Sequence, residues 1–163
     1  FVTKFRLTVP RDKMEERWKI LPSIDRLYRQ MSVVNDGVDS PYVMRAIGSF
    51  EMIFKLMEQT LADGRPFIMG EQFTLAETTL MPFIKVLEMV RFLDFWMKPY
   101  PLTRAWWDRM VERPSLKRLD DFPYSAISED SPHAKSGRET EPEFRIKLEE
   151  YRDRFGHAFN PVA

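Results

Sequence analysis

The feature that most constrains this chain is a helix-start signal followed by a long apolar run. Thr74 is followed three residues later by Glu77, the spacing of a capping box in which the hydroxyl and the carboxylate each bind an otherwise unpaired backbone amide. From Leu75 the sequence is apolar on nearly all sides of a helix, and only Lys85 and Glu88 form a narrow polar stripe. We therefore predict a helix that begins at Leu75 and lies at the centre of a helical bundle.

Two further helices are predicted upstream, where apolar residues recur every three or four positions. The first runs from Asp12 to Met31 and contains Pro22, at which we expect a kink or a break. The second opens at Pro41, with Ser40 as its cap, and continues to about residue 62, before Gly64 as a left-handed terminator. The apolar face of the first is predicted to comprise Met14, Trp18, Leu21, Ile24, Tyr28 and Met31. That of the second is predicted to comprise Val43, Ile47, Phe50, Phe54, Met57 and Leu61, with Glu51, Lys55 and Glu58 on the opposite face.

The last part of the chain is predicted to be an irregular connection followed by one more helix. The segment 120–141 is acidic and contains two prolines and several serines, a composition typical of an irregular segment. Thr140 and Glu143 then have the spacing of a second capping box, and Gly156 is expected to end the helix. Its apolar stripe is Phe144, Leu148, Tyr151 and Phe155. We expect this helix to pack across the bundle or against another domain, and a dimer contact is the alternative.

Residues 67–118 resemble the second half of the helical domain of cytosolic glutathione transferases. The first matching motif is formed by Gly70, Glu71, Phe73, Thr74, Leu75, Ala76, Glu77, Thr78 and Pro82. The second is formed by Tyr100, Pro101, Ala105, Trp106, Arg109, Met110, Arg113 and Pro114, where Pro101 is expected to start a helix and Pro114 to end it. Two positions depart from the family pattern. Glu77 replaces the usual Asp, and Thr78 replaces the aliphatic residue that would complete a hydrophobic staple with Phe73.

The resemblance implies an all-α fold, a bundle of five or six helices with an extra C-terminal helix. We expect residues 1–119 to form the bundle and residues 120–163 to form an acidic tail with the terminal helix. The thioredoxin-like domain that precedes the bundle in this family is absent from this chain. Because the chain begins with Phe rather than Met, we expect it to be part of a longer polypeptide. The length of the segment between Pro10 and Pro41, together with the long tail, resembles bacterial glutathione lyase or dehalogenase branches.

The resemblance also implies a reaction in which the thiolate of glutathione attacks a small hydrophobic electrophile, such as an aromatic ether or a halogenated compound. Glutathione, the co-substrate, would bind mainly to the absent domain, whose Ser, Tyr or Cys would stabilise the thiolate, so the catalytic residue lies outside this chain. In the family architecture the residues expected to line the electrophile site are Phe1, Phe5, Thr8, Trp107, Phe122 and Tyr124. Phe1 and Phe5 are alternatively core or dimer-contact aromatics. Trp106 and Trp107 point to different sides of their helix, so we expect one to be buried and the other free to line a cleft.

Composition restricts the other function classes. The chain has 25 basic and 25 acidic residues, which removes the main electrostatic argument for binding nucleic acid or an acidic membrane. It has no cysteine, and His133 and His157 have no partner at ligand spacing, so no metal site is predicted. Without an apolar run of about 18 residues or an export leader, we expect a cytoplasmic protein, and the family implies a homodimer. The two alternatives to an enzyme are a non-catalytic transferase-like module for protein association and an unrelated helical interaction domain.

Overall fold

The structure, a computed structural model, describes residues 12–13, 16, 19–20, 23–121 and 130–156. Seven α-helices have both ends in these ranges: α1 (Ile24–Asp36), α2 (Pro41–Leu61), α3 (Leu75–Met89), α4 (Leu93–Trp96), α5 (Pro101–Val111), α6 (Pro114–Lys117) and α7 (Pro132–Phe155). Residues 12–13, 16 and 19 are also helical. Short 3-10 turns cover Gly37–Asp39 and Arg118–Asp121. The described residues contain no strand, only a β-type bridge between Phe67 and Gly70. The all-α fold and the extra C-terminal helix are confirmed.

The chain divides into two compact units. The described residues up to Phe50 and from Arg138 onward form the first unit, and Glu51–Gly137 form the second. Helices α2 and α7 therefore contribute residues to both units. The predicted domain boundary between residues 119 and 120 stays a prediction.

The larger unit is built around aromatic side chains from α2, α4 and α5. Phe54 is fully buried and packs edge-on against Trp96, with ring centroids 6.0 Å apart, and against Tyr100 at 5.7 Å. Trp106 and Met110 of α5 are buried in the same unit. Such aromatic pairs add to the free energy of burial because their ring edges and faces carry opposite partial charges.

The smaller unit joins α1, α2 and α7. Ile47, Phe144 and Leu148 are buried. The hydroxyl groups of Ser32 and Ser40 lie 2.9 Å apart and share a hydrogen bond, which ties the end of α1 to the start of α2. Ser40 is completely buried, and its hydroxyl accepts a hydrogen bond from the Tyr42 amide at 3.3 Å, which confirms it as the cap of α2.

Several helix limits agree with local sequence signals. Helix α2 begins at Pro41, and Gly64 follows it with a positive φ of 85°. Helix α5 begins at Pro101, as predicted, but it ends at Val111. Pro114 therefore does not end α5; it occupies the first turn of the short helix α6, where its missing N–H costs nothing.

The predicted start of the last helix was wrong by nine residues, because Thr140 was taken as the cap and Ser131 is the observed one. Helix α7 begins at Pro132, and the hydroxyl of Ser131 accepts a hydrogen bond from the Ala134 amide at 3.1 Å. Since Thr140 lies inside the helix, it cannot cap a helix start, and the irregular connection is shorter than 120–141. The Ser131 cap with Pro132 at the first helical position was a competing local signal that sequence reading overlooked. Gly156 does end the helix, as predicted.

The first predicted apolar face was also wrong in its described part. Helix α1 begins two residues after Pro22, near the predicted break, but none of its residues is buried. Ile24 and Tyr28 are exposed to solvent in this chain. Met14, Trp18 and Leu21 of that face lie outside the described residues.

Candidate functional site

The start of α3 contains the predicted capping box. The Thr74 hydroxyl accepts a hydrogen bond from the Ala76 amide at 3.2 Å, and the Glu77 carboxylate accepts one from the Thr74 amide at 2.8 Å. Glu77 also accepts a hydrogen bond from the Thr74 hydroxyl at 2.9 Å and one from the Ile68 amide at 2.6 Å. The carboxylate thus closes the helix end and fastens the preceding loop to it.

Glu77 is completely buried, and its charge is nevertheless favoured. Burial by itself opposes ionisation and is the largest single effect. The hydrogen bonds from the backbone of Thr74 and Ile68, together with the bond from the Thr74 hydroxyl, outweigh it and hold the pKa of Glu77 below its ordinary value. The start of α3 is therefore stabilised by an ionised carboxylate.

The loop before α3 is held at several further points. Arg109 of α5 donates a hydrogen bond to the Pro66 carbonyl at 3.0 Å. The Arg113 guanidinium lies over the ring of Phe73, 3.7 Å from its centroid, and Phe67 packs edge-on against the same ring at 6.0 Å. Phe73 thus contacts both a cation and an aromatic ring.

The loop also contains a short ion pair at the surface. Asp63 accepts hydrogen bonds from the backbone and side chain of Arg65, with a shortest ion-pair distance of 2.6 Å. These hydrogen bonds lower the pKa of Asp63 to about 2, and the bond from the Arg65 side chain has the largest effect. Because Asp63 is exposed, we attribute to the pair a role in the shape of the turn rather than a large gain in stability.

Helix α3 is not enclosed on all sides, which corrects the prediction that it lies at the centre of the bundle. Lys85 is buried and lies 3.2 Å from the carboxylate of Glu88, so the predicted polar stripe faces inward. Leu75, Phe83 and Val86 instead are exposed. A buried charge is tolerated only when it has a partner, and the ion pair supplies one.

Both tryptophans of α5 are buried, so the expectation that one of them is free is wrong. Trp106 is 0 % exposed and Trp107 is 1 % exposed. The Trp107 indole donates a hydrogen bond to Glu88 at 3.3 Å, which links α5 to α3. Glu88, a residue of the predicted polar stripe, is therefore the hydrogen-bond partner of the buried Trp107 indole.

The sequence interpretation missed two carboxylates of α2 that organise the following helices. Glu51 is buried and accepts hydrogen bonds from the Trp96 indole at 2.6 Å and the Tyr100 hydroxyl at 2.9 Å. Glu58 accepts bonds from the amides of Leu102 and Thr103, at 2.9 and 2.8 Å, and so caps the start of α5 from a different helix.

A signal for these carboxylates was present in the sequence. Glu51 and Glu58 alternate with Ile47, Phe54 and Leu61 at spacings of four and three, which places all five on one side of α2. Their assignment to an opposite, solvated face was wrong because it was made from residue type rather than from the helical angle.

The grouping of the predicted electrophile-binding residues at one site stays a prediction. Trp107 is the one member of the set that the structure describes, and it is buried. The others lie outside the described residues: Phe1, Phe5, Thr8, Phe122 and Tyr124. Their role in binding stays a prediction.

No cluster of three or more potential metal ligands, counting His, Asp and Glu, occurs among the described residues. The described helices include none whose length and apolar character would allow it to cross a bilayer.

Comparison with known proteins identifies the bundle. The model of the family described as "Glutathione S-transferase, C-terminal domain" matches residues 20–114, which include α1 to α5, the Thr74–Glu77 capping box and the loop before it. Comparisons with curated proteins and with solved structures gave no match. The family match covers more than half of the chain and agrees with its all-α fold, and the chain belongs to the glutathione S-transferase family as a C-terminal helical domain.

Proposed function

We propose that this chain is the helical half of a glutathione transferase-type enzyme. In this proposal the thiolate of glutathione forms a C–S bond with an electrophilic carbon and displaces a leaving group, or adds to an activated double bond. A thioredoxin-like domain binds glutathione, and its Ser, Tyr or Cys lowers the pKa of the thiol by hydrogen bonding to the thiolate. The helical bundle supplies an apolar wall that orients the electrophile.

The observation that carries the proposal is the family match over residues 20–114. It is supported by the Glu77 contacts that hold the loop 62–74 against α3, because a rigid bundle is what a substrate wall requires. The candidate substrate classes are aromatic ethers and halogenated aromatics, because the chain resembles the lyase and dehalogenase branches of the family.

Within this proposal, Phe1, Phe5 and Thr8 line one side of the electrophile site, and Phe122 and Tyr124 cover it from the tail. Trp107 is the weakest member of the set because its indole is buried and bonded to Glu88. We further propose a cytoplasmic homodimer.

Binding of glutathione by the full-length polypeptide is the first test. The protein is passed over immobilised glutathione, and glutathione-dependent loss of a chlorinated or ether-linked aromatic compound is then followed together with formation of the conjugate. Retention and turnover are expected. Flow-through without turnover would contradict the proposal and favour the alternative, a non-catalytic module for protein association.

The electrophile residues are tested separately. In the full-length polypeptide, Tyr124→Ala and Phe122→Ala are expected to raise KM for the aromatic substrate about tenfold, the effect of losing one apolar contact, while retention on glutathione is unchanged. The matched control is Tyr28→Ala, which removes an exposed aromatic side chain of α1. Equal effects of the three changes would exclude Phe122 and Tyr124 from the site.

A further inference from the structure

Two arginines beside the loop 62–74 have no ion-pair partner among the residues that the structure describes. Arg109 lies in the last turn of α5, and Arg113 follows the end of that helix by two residues. We call these two residues the arginine pair. Arg109 is exposed and donates a hydrogen bond to the Pro66 carbonyl at 3.0 Å. Arg113 is half-buried and stacks on Phe73, 3.7 Å from the ring centroid.

Both guanidinium groups contact the same small cluster of the loop. Pro66 and Phe67 are consecutive residues, and the Phe67 ring packs on the Phe73 ring with centroids 6.0 Å apart. The cluster therefore brings the arginine pair to one part of the surface. Because a guanidinium that is stacked on a ring keeps its N–H donors in its own plane, Arg113 still presents them at the edge of Phe73. Arg109 is exposed, so its remaining donors can turn toward the same ligand.

The carboxylates of the loop and of the segment 101–113 do not neutralise the arginine pair. Three of them bind other cations: Asp63 binds Arg65 at 2.6 Å, Asp108 binds Arg104 at 2.9 Å and Glu112 binds Lys117 at 2.6 Å. Glu71, the remaining carboxylate of the loop, is exposed and makes no ion pair with Arg109 or Arg113. Two positive charges thus lie close together, an arrangement that is unfavourable until an anion binds.

The Nε–H group of Arg113 points independently to a ligand. This nitrogen is buried, and it has no hydrogen-bond partner in the described part of the chain. A buried donor without an acceptor is costly, and native structures rarely retain one without a reason. The negative end of the α5 dipole explains why cations lie here, but it provides no acceptor for this N–H group.

We propose that the arginine pair is a binding site for a phosphate group, carried by inorganic phosphate or by a small phosphate monoester. The planar fork of an arginine matches the oxygen atoms of a phosphate, and the Arg113 Nε–H donates to one of them. A phosphate group has a charge of about −1.5 to −2 at pH 7, which balances two guanidinium groups, whereas one carboxylate balances only one. This site goes beyond the transferase function proposed above and does not depend on it.

Calorimetric titration of the full-length polypeptide with inorganic phosphate tests the site. Chloride keeps the ionic strength constant, so that charge screening is the same throughout the titration. Arg109→Gln and Arg113→Lys are each expected to weaken binding at least about tenfold, because each removes charge-assisted hydrogen bonds to the phosphate. Arg113→Lys keeps the positive charge and loses the Nε–H, so it separates the effect of the planar fork from that of the charge.

Arg45→Gln is the control for the loss of one positive charge. Arg45 is exposed on α2, and no charged residue lies three or four positions from it in the sequence. This variant is expected to bind phosphate as the wild type does. Circular dichroism checks that each variant folds. If Arg113→Lys does not fold, Arg109→Gln decides, because the side chain of Arg109 is exposed.

Two further ligands identify the chemical group that is recognised. Tighter binding of glycerol phosphate than of inorganic phosphate would assign the site to a monoester, and equal or weaker binding would assign it to free phosphate. Acetate is expected to bind more weakly than phosphate. The proposal is overturned if phosphate does not bind, if acetate binds as tightly as phosphate, or if Arg45→Gln weakens phosphate binding as much as Arg109→Gln.

Discussion

Glu77 is the side chain on which the start of α3 most depends. It is buried, ionised and bonded to three donors, two of which are backbone amides that have no other partner in the described contacts. A buried amide without a partner costs about 1–3 kcal/mol of folding free energy. Glu77 therefore contributes more to stability than a typical capping residue, because it accepts a hydrogen bond from a loop amide as well as from the start of the helix.

Removal of Glu77 is expected to destabilise the chain more than removal of its capping partner. Glu77→Ala should lower the free energy of unfolding by about 3 kcal/mol, since it leaves the Ile68 and Thr74 amides unpaired. Thr74→Ala should cost about 1 kcal/mol, the usual value of a helix cap. Urea denaturation monitored by circular dichroism measures both. A larger loss for Thr74→Ala would contradict this assignment.

The acid sensitivity of the chain should depend in part on the same carboxylate. The pKa of Glu77 is lower in the folded chain than in the unfolded chain, so its stabilisation is fully present above the unfolded pKa of about 4.3. This stabilisation is lost as the pH falls through the pKa of Glu77 in the folded chain. Glu77→Gln should therefore flatten the decline of stability below about pH 4.3. Unfolding free energies measured between pH 3 and pH 6 would test this, and an unchanged slope would refute it.

Helix α7 approaches other helices at two glycines, and the two contacts differ in kind. A Cβ atom at Gly137 would lie 1.9 Å from the Val90 carbonyl oxygen, which belongs to the backbone at the end of α3. A Cβ atom at Gly48 of α2 would lie 3.0 Å from the Tyr151 hydroxyl, the end of a side chain. The Val90 backbone cannot move away without its helix, whereas the Tyr151 side chain can rotate.

Alanine at these two positions should consequently have unequal effects. Gly137→Ala is expected to lower the free energy of unfolding by about 3 kcal/mol, because α7 must shift from α3. In Gly48→Ala the gain in helix propensity of about 1 kcal/mol offsets the displacement of Tyr151, so the net change should be small. Thermal unfolding of the two variants compares them directly. A stable Gly137→Ala variant would show that α7 does not contact Val90 as described.

The molecule as a whole depends on residues beyond its family domain. The family match ends at residue 114, but Phe144 and Leu148 of α7 are buried in the smaller unit. In that unit Lys147 also pairs with Asp39 at 2.8 Å, and this hydrogen bond raises the pKa of Lys147. The terminal helix is therefore part of the folded unit rather than an appendage.

Two neighbouring residues of α7 allow this dependence to be measured. Phe144→Ala is expected to reduce the free energy of unfolding by about 3–5 kcal/mol, as for other buried phenylalanines. Ile146→Ala, two positions away and exposed, should change it by no more than about 0.5 kcal/mol. Urea denaturation of both variants provides the comparison. Similar values for the two would mean that α7 is not packed against the unit.

Sequence reading was most successful where the decisive interactions are local. The Thr74–Glu77 capping box, the helix starts at Pro41 and Pro101 and the helix end at Gly156 are all visible within four residues of sequence. The two motifs in residues 67–118 were also sufficient to identify the family, because they combine several such local signals at a fixed separation.

The side of each helix that is buried could not be read in the same way. Glu51 and Trp107 were misassigned because burial of a polar or amphipathic side chain depends on partners that are 19–49 residues away in the chain: Glu88 for Trp107, and Trp96 and Tyr100 for Glu51. A charged residue is inside only if tertiary packing brings it a donor or an opposite charge. Amino-acid order thus specified where helices start and stop, since those bonds form between near neighbours. Three-dimensional packing specified which faces turned inward, since that choice depends on contacts that no single helix contains.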